Sequence, residues 1–239
     1  MKIALLGYGK MGKEIEKIAI ARNHEIVLKI DIDNTEDGTV ENIAKANVAI
    51  DFSVPASAYN NIMLCFNANV PIVCGTTGWL DKFENVVEYC RKNNQTFFYA
   101  PNYSIGVNIF FRLNRYLANL MDKFENYNVE LKETHHIHKI DAPSGTALEL
   151  AGDLLKFINR KTEWKLNEVN DESELKIETI REGEVPGIHE IKYESKVDTI
   201  EIKHSAKNRI GLATGAILAA EFIQHKKGYF NMDHLMDAH

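Results

Sequence analysis

The feature that most restricts the fold lies at the N-terminus. Lys2–Leu6 is a short apolar run ending in Gly7-Tyr8-Gly9-Lys10-Met11-Gly12. Ile15, Ile18 and Ala19 follow at helical spacing, and a second apolar run, Ile26–Ile30, ends at Asp31. Strand, G-x-G-x-x-G, helix, strand, acid is the dinucleotide-binding fingerprint in the context that makes it specific. Gly7 lets the chain turn, Gly9 lets backbone approach a pyrophosphate, and Gly12 lets the helix pack closely on the sheet. Asp31 stands where an acid accepts from ribose hydroxyls, with Asp33 as its rival. A 2′-phosphate wants a cation beside that acid, and no Arg follows either one directly. NADH is therefore favoured over NADPH, with Lys10, Lys13 and Lys29 as alternative cations.

The alternation continues through Tyr103. Val48–Phe52, Val70–Cys74 and Thr96–Tyr99 read as strands, and Tyr59–Phe66 and Phe83–Tyr89 as helices. Strands alternating with helices predict a parallel sheet with right-handed crossovers, and ligands bind beyond its carboxyl ends. Gly75-Thr76-Thr77-Gly78 and Ala100-Pro101-Asn102-Tyr103 occupy two of those ends. Each is a plain turn on the bland reading, and a cofactor contact on the functional one.

After Ser104 the rhythm changes. Val107–Leu120 reads as an amphipathic helix with Ile109, Phe110, Leu113, Leu117 and Leu120 on one side. Asn128–Thr134 alternates like a strand, 145–158 is helical, and polar Asn159–Ser173 reads as loop. Leu175–Arg181, Ile188–Glu194 and Val197–Ser205 are strands in succession, which predicts an antiparallel or mixed sheet with one face to be covered. Residues 209–224 return to apolar helix, and the tail is short. The expected organisation is α/β: a Rossmann-type dinucleotide domain over 1–104 and 214–239, and an α+β domain over 105–213. Hinges are expected near Asn102–Gly106 and Lys207–Thr214.

Chemistry concentrates in Glu133 to Thr146, where His135, His136, His138 and Lys139 precede Asp141-Ala142-Pro143-Ser144-Gly145-Thr146. Pro143 is expected to end any strand carrying the histidines. Ser144 is a natural cap, so Gly145 and Thr146 open a helix whose free N–H groups suit an anion. Imidazoles, an ammonium and a helix start together fit an anionic small molecule, with proton donors to hand. A solvated histidine loop is the plain alternative. Metal binding is another, but the segment has no Cys, and His135 and His136 would point to opposite strand faces. No metal is expected at the site.

The net charge of −6 disfavours nucleic acid, and no Lys/Arg run makes a local exception. Cys65, Cys74 and Cys90 are odd in number and lack metal spacing, which fits buried thiols in a reducing cytosol. No signal peptide and no apolar run of membrane-spanning length are read, so a cytoplasmic protein is expected.

These residues resemble one family over nearly the whole chain: 4-hydroxy-tetrahydrodipicolinate reductase, also called dihydrodipicolinate reductase, of the bacterial diaminopimelate–lysine pathway. The most specific segment is His135-His136-Ile137-His138-Lys139-Ile140-Asp141-Ala142-Pro143-Ser144-Gly145-Thr146-Ala147. The glycine turn, Gly75–Gly78, Ala100–Asn108, Arg181-Glu182-Gly183, Gly187-Ile188-His189, His204-Ser205-Ala206, Arg209, Ala213 and Gly215-Ala216 support it. The chain departs from the family pattern in a tighter glycine turn and in Ile32, which stands where an Arg often follows the acid. The resemblance implies that His135 is the acid/base residue and Lys139 the proton donor. It implies that His136, Gly145 and Thr146 hold the carboxylates of a small cyclic dicarboxylate. It assigns NADH or NADPH to Gly7, Tyr8, Gly9, Lys10, Met11, Gly12, Asp31, Gly75, Thr76, Thr77, Ala100, Pro101, Asn102 and Tyr103. It also implies a homotetramer joined through the second-domain sheets. The rivals are a dinucleotide sensor without chemistry and another Rossmann reductase with a catalytic Lys; neither needs His-His together with Ser-Gly-Thr.

Overall fold

A computed structural model describes residues 1–238. The chain divides into two compact units, one from Met1–Ile105 plus the chain from Arg209 onward, the other Gly106–Asn208. Among the described residues no helix is long and apolar enough to cross a membrane.

In the first unit, β1 (Lys2–Leu6) leads into α1 (Lys10–Ala21) and then β2 (Glu25–Ile30). A 3-10 turn over Ile32–Asp37 and the short helix α2 (Val40–Ile43) precede β3 (Val48–Asp51). Then come α3 (Pro55–Asn67), β4 (Ile72–Cys74), α4 (Phe83–Lys92) and β5 (Thr96–Tyr99). The strands β3, β4 and β5 are buried at every position, as continuous apolar runs covered on both faces must be.

The second unit runs through α5 (Ile105–Met121), β6 (Asn128–His135), α6 (Gly145–Phe157), β7 (Glu163–Leu166), β8 (Glu174–Arg181), β9 (Ile188–Glu194) and β10 (Thr199–Ser205). The strand order is β10-β9-β6-β8-β7; β9 is antiparallel to β6 and β10, whereas β8 is parallel to β6 and β7. The sheet is therefore mixed. One face packs on α5 and α6 through Val129, Leu131, Leu175, Ile177, Ile191 and Tyr193. Each buried apolar side chain of this kind contributes about 1.5–3 kcal/mol. The strand β7 lies in the stretch read as loop; it is an edge strand whose four residues, Glu-Trp-Lys-Leu, alternate over too short a span to stand out from the polar sequence around them.

The helix α5 turns a different face inward than its sequence predicts. It buries Val107, Phe110, Phe111, Asn114, Ala118 and Met121, while Ile109, Leu113 and Leu120 are 40–49% exposed. Both faces are apolar, so spacing alone does not choose between them.

The chain then returns to the first unit as α7 (Ile210–Ile223), β11 (Gly228–Phe230) and α8 (Met232–Asp237). The helix α7 packs its alanines and Ile217 against β1, β3 and α1 residues. Its close approach requires Gly215, where a Cβ would stand 1.7 Å from the Tyr103 carbonyl oxygen. The tail adds β11 beside β5 and completes a sheet of order β2-β1-β3-β4-β5-β11, parallel throughout. The order reverses between β1 and β3, the crevice where such sheets bind ligands.

Candidate active site

The end of β6 carries the second unit's chemistry. Residues 129, 131, 133 and 135 alternate onto the face covered by helices, so Glu133 and His135 continue the core row. Glu133 has no exposed surface, and His135 and His189 are buried. The antiparallel register sets Glu133 opposite His189 on β9, and the parallel register sets His135 beside Arg181 on β8. Glu133 Oε2 lies 3.4 Å from His135 Nδ1 and 3.6 Å from His189 Nε2. Arg181 Nη2 donates to Glu133 Oε1 at 3.3 Å, and the Ser144 backbone N–H is 3.2 Å from both carboxylate oxygens. His189 Nε2 also lies 3.2 Å from Ser144 Oγ.

Burial alone would raise the Glu133 carboxyl, but His189, Ser144 and His135 outweigh it and hold it at about 2. Burial depresses His135 to about 4; Glu133 opposes that, while His189, Lys139 and Arg181 add to it. His135 is therefore a neutral imidazole near pH 7. Its Nδ1 is at ion-pair distance from Glu133 without a formed hydrogen bond. Glu133, His135 and His189 have donor atoms within 4.8 Å of one another, a spacing a metal could use. The guanidinium and N–H already on Glu133 answer its charge without one.

Only His135 of the histidine run is on the strand. Pro143 does not end it: β6 stops at His135, and the chain turns at once, with the Lys139 N–H donating to the His136 carbonyl at 3.1 Å. His136 is half-buried with an unpartnered buried Nδ1, and His138 is exposed beside Glu184 at 3.0 Å. The Lys139 ammonium donates to Asp141 at 2.7 and 2.9 Å, which holds the Asp141 carboxyl below its ordinary value. Arg181 ties this loop down through the carbonyls of Lys139 at 3.3 Å and Asp141 at 2.6 Å. Ser144 caps α6, its Oγ accepting from the Ala147 N–H at 3.2 Å. No atom lies within 4 Å of where a Gly145 Cβ would stand, so the helix start opens onto free space.

At the crevice of the first unit the contacts offered are backbone. A Cβ on Gly7 would stand 2.3 Å from the Phe52 carbonyl oxygen and one on Gly12 2.4 Å from the Gly7 carbonyl oxygen, whereas Gly9 has nothing within 4 Å. The turn is thus packed where it must be tight and open where a pyrophosphate would lie, and the first turn of α1 holds no acid. Those residues fit a dinucleotide. Lys10 and Asp31 are exposed, and Tyr8 and Met11 half-exposed. The 3-10 turn begins at Asp31, whose N–H donates to Asn34 Oδ1 at 2.8 Å.

Two predicted cofactor side chains are committed elsewhere. Thr76 Oγ1 donates to buried Asp51 at 2.7 Å and accepts from the Ser53 N–H at 2.9 Å. Tyr103 is 1% exposed, and its hydroxyl donates to the Cys74 carbonyl at 2.7 Å. Ala100 is buried, Gly75 abuts the Phe52 ring, and Thr77, Pro101 and Asn102 lie at the strand ends. The sequence alone assigns no catalytic or binding role to Glu133, Arg181 or His189. Only the strand registers bring them together.

Comparison with known proteins covers both units. The family model for the N-terminus of dihydrodipicolinate reductase matches residues 1–103, and that for its C-terminus matches 106–236. A 4-hydroxy-tetrahydrodipicolinate reductase from Christiangramia forsetii is 48% identical over 97% of this chain and 96% of its own length. The enzyme of that name from Staphylococcus aureus strain MRSA252 is 34% identical over 98% of this chain and 100% of its own. Among solved structures, dipicolinate-bound dihydrodipicolinate reductase from Paenisporosarcina sp. TG-14 aligns with a TM-score of 0.78 at 23% identity, covering 97% of each chain.

Proposed function

The chain belongs to the dihydrodipicolinate reductase family, and from that premise we propose how its residues reduce 4-hydroxy-tetrahydrodipicolinate with a nicotinamide. When bound, the reduced nicotinamide supplies the hydride that reaches C4 of the ring after the 4-hydroxyl leaves as water. Gly7, Gly9 and Gly12 with the first turn of α1 bind its pyrophosphate by backbone, and Gly75–Thr77 and Ala100–Tyr103 line the neighbouring strand ends. Asp31 takes the ribose hydroxyls. NADH is the preferred donor on this reading. Ile32 beside the acid is 84% exposed and apolar, and Lys29 is bound to Glu16 at 2.6 Å. A 2′-phosphate is left with the exposed Lys10 and Lys13 alone.

The substrate is a cyclic dicarboxylate. The Gly145 and Thr146 N–H groups and the His136 imidazole grip its carboxylates, since a helix start favours an anion. Lys139 exchanges Asp141 for the substrate, stabilises negative charge spreading through the ring, and donates a proton at C3. His135 begins neutral; the incoming dianion raises its proton affinity and fits it for acid/base duty. The single observation that carries this reading is the open, serine-capped helix start, which shares the Glu133 carboxylate with His135.

The outer face of the second sheet supports the assembly. Across β8, β6, β9 and β10 the partners read Lys176, Glu130, Lys192, Glu201 in one row and Glu178, Lys132, Glu190, Lys203 in the next. Signs alternate in both directions. Turned about a two-fold axis that lies in the sheet plane and runs between β6 and β9, such a checkerboard sets every charge against its opposite. We read this face as the contact between copies in a homotetramer of a cytoplasmic enzyme.

A coupled assay with freshly generated cyclic substrate and each nicotinamide in turn tests the proposal. Turnover with a higher kcat/KM for NADH is expected. No oxidation of either donor defeats the reductase reading, and a preference for NADPH defeats the role given to Asp31 and Ile32.

A further inference from the structure

We propose that Glu133 is a positioning residue serving both parts of this site: it orients His135 through Nδ1 and fixes the α6 start through the Ser144 N–H. The inference rests on the roles given above to His135 and to Gly145 and Thr146.

The geometry is that of a hub. Glu133 has no surface of its own, so it touches neither solvent nor ligand. Its Oε2 faces both imidazoles, its Oε1 takes the Arg181 guanidinium, and both oxygens face the Ser144 N–H. A carboxylate beside Nδ1 keeps the imidazole proton there and leaves Nε2 as the working nitrogen. Gly187 lies beside that nitrogen and spares it a side chain: a Cβ there would stand 3.1 Å from His135 Nε2. On the other side, Ser144 spends its N–H on Glu133 and its Oγ on the Ala147 N–H. Gly145 and Thr146 are then the first N–H groups of the helix left to a carboxylate.

Four charged or titratable groups act on His135 at close range. Glu133 favours its protonated form, and His189, Lys139 and Arg181 oppose it. Removing the Glu133 charge leaves only the opposing groups, whereas removing His189 leaves Glu133 less opposed. The two changes shift the imidazole in opposite directions, which a packing role does not do. The two halves of the hub also separate by chemistry. Glu133→Gln keeps an acceptor for the Ser144 N–H but loses the charge. Glu133→Asp keeps the charge but falls a methylene short of Ser144.

The experiment titrates the histidine Cε1–H resonances of the ligand-free protein by NMR, with His135 identified from its absence in His135→Gln. Dipicolinate is then titrated calorimetrically into the same variants. Glu133→Gln is expected to lower the His135 midpoint by about one pH unit or more. It should change dipicolinate Kd by less than about 3-fold, since the neutral acceptor remains. Glu133→Asp should hold the midpoint and weaken dipicolinate roughly 10-fold, the scale of one lost charge-assisted hydrogen bond. His189→Asn should raise the midpoint. A midpoint unmoved in Glu133→Gln, or wild-type affinity in Glu133→Asp, overturns the proposal. Should Glu133→Gln not fold, a midpoint that fails to rise in His189→Asn overturns it instead. Wild-type protein that binds no dipicolinate defeats the substrate-site reading, while the ligand-free titration still decides the role of Glu133.

Discussion

Asp51 ends β3 in the first unit, Glu133 lies two residues from the end of β6 in the second, and neither has any exposed surface. Both tie separate segments together near the end of a strand. Their partners differ. Asp51 meets neutral groups only: Thr76 at 2.7 Å, Asn61 at 2.7 Å and the Cys74 thiol at 3.3 Å. Burial therefore raises its carboxyl despite those hydrogen bonds. Glu133 meets two imidazoles, a guanidinium and a helix-start N–H, and is held at about 2. The same device is a clamp in one place and a charged control in the other. On the proposed reading the first unit offers its ligand main chain, so its buried acid need only hold loops. On the same reading the second offers side chains whose protonation matters, and the proposal gives its buried acid control of their charge.

If this contrast is right, the largest effect comes from removing a working side chain in the second unit. Lys139→Ala should lower kcat by about 100-fold or more, the scale of a lost proton donor, in steady-state assays. A near-normal kcat would remove Lys139 from the mechanism. In the first unit damage should follow from blocking backbone. Gly12→Val drives a side chain into the Gly7 carbonyl, already only 2.4 Å from a Cβ, and should weaken NADH by roughly 10-fold or more in a fluorescence titration. An unchanged titration would mean that the turn does not carry the cofactor.

The pH dependence of stability separates the two acids by sign. His135 is held at about 4 against an ordinary 6.5, so the unfolded chain takes up that proton first, and stability falls as pH drops through this window. Glu133, at about 2 against 4.5, adds a loss below pH 4.5. Asp51 works the other way: its raised carboxyl gives stability that is lost as pH climbs through its folded value. Thermal melts should therefore show Tm falling by about 5 °C or more between roughly pH 6.5 and 4, with a shallower slope in His135→Gln. Parallel slopes would put the neutral state of His135 in error. The smallest effect belongs to Asp51→Asn, expected to change NADH affinity by less than about 3-fold and Tm by no more than about 3 °C. A large loss in either would make the two acids alike.

Much of this was legible in the chain, for physical reasons that also explain what was not. Apolar runs buried on both faces, such as Val48–Ile50 and Phe97–Tyr99, announce parallel strands without a structure. Glu163–Leu166 and Gly228–Phe230 do not, because four alternating residues at an exposed edge and a three-residue strand are too short to stand out from their surroundings. The helix Met232–Asp237 had a signal in Asn231, whose side chain accepts from the His234 N–H in a capping box. At the site, His135, Lys139 and the Ser144 cap stand in one segment and were visible together. Glu133 lay in the same segment without evident purpose. Its partner His189 arrives only through the β6–β9 register, which no local pattern encodes.

The last strand has a consequence for biosynthesis. The segment after Arg209 supplies α7, which fills one face of the first sheet, and β11, which extends its edge beside β5. The strands before Ile105 are therefore synthesised ahead of the segment that covers them, and their unit is complete only once that segment follows. The inserted unit is contiguous and can close beforehand. A nascent chain stalled just short of Arg209 would expose the apolar flank of β1 and β3 that α7 hides, and no waiting would supply the missing cover.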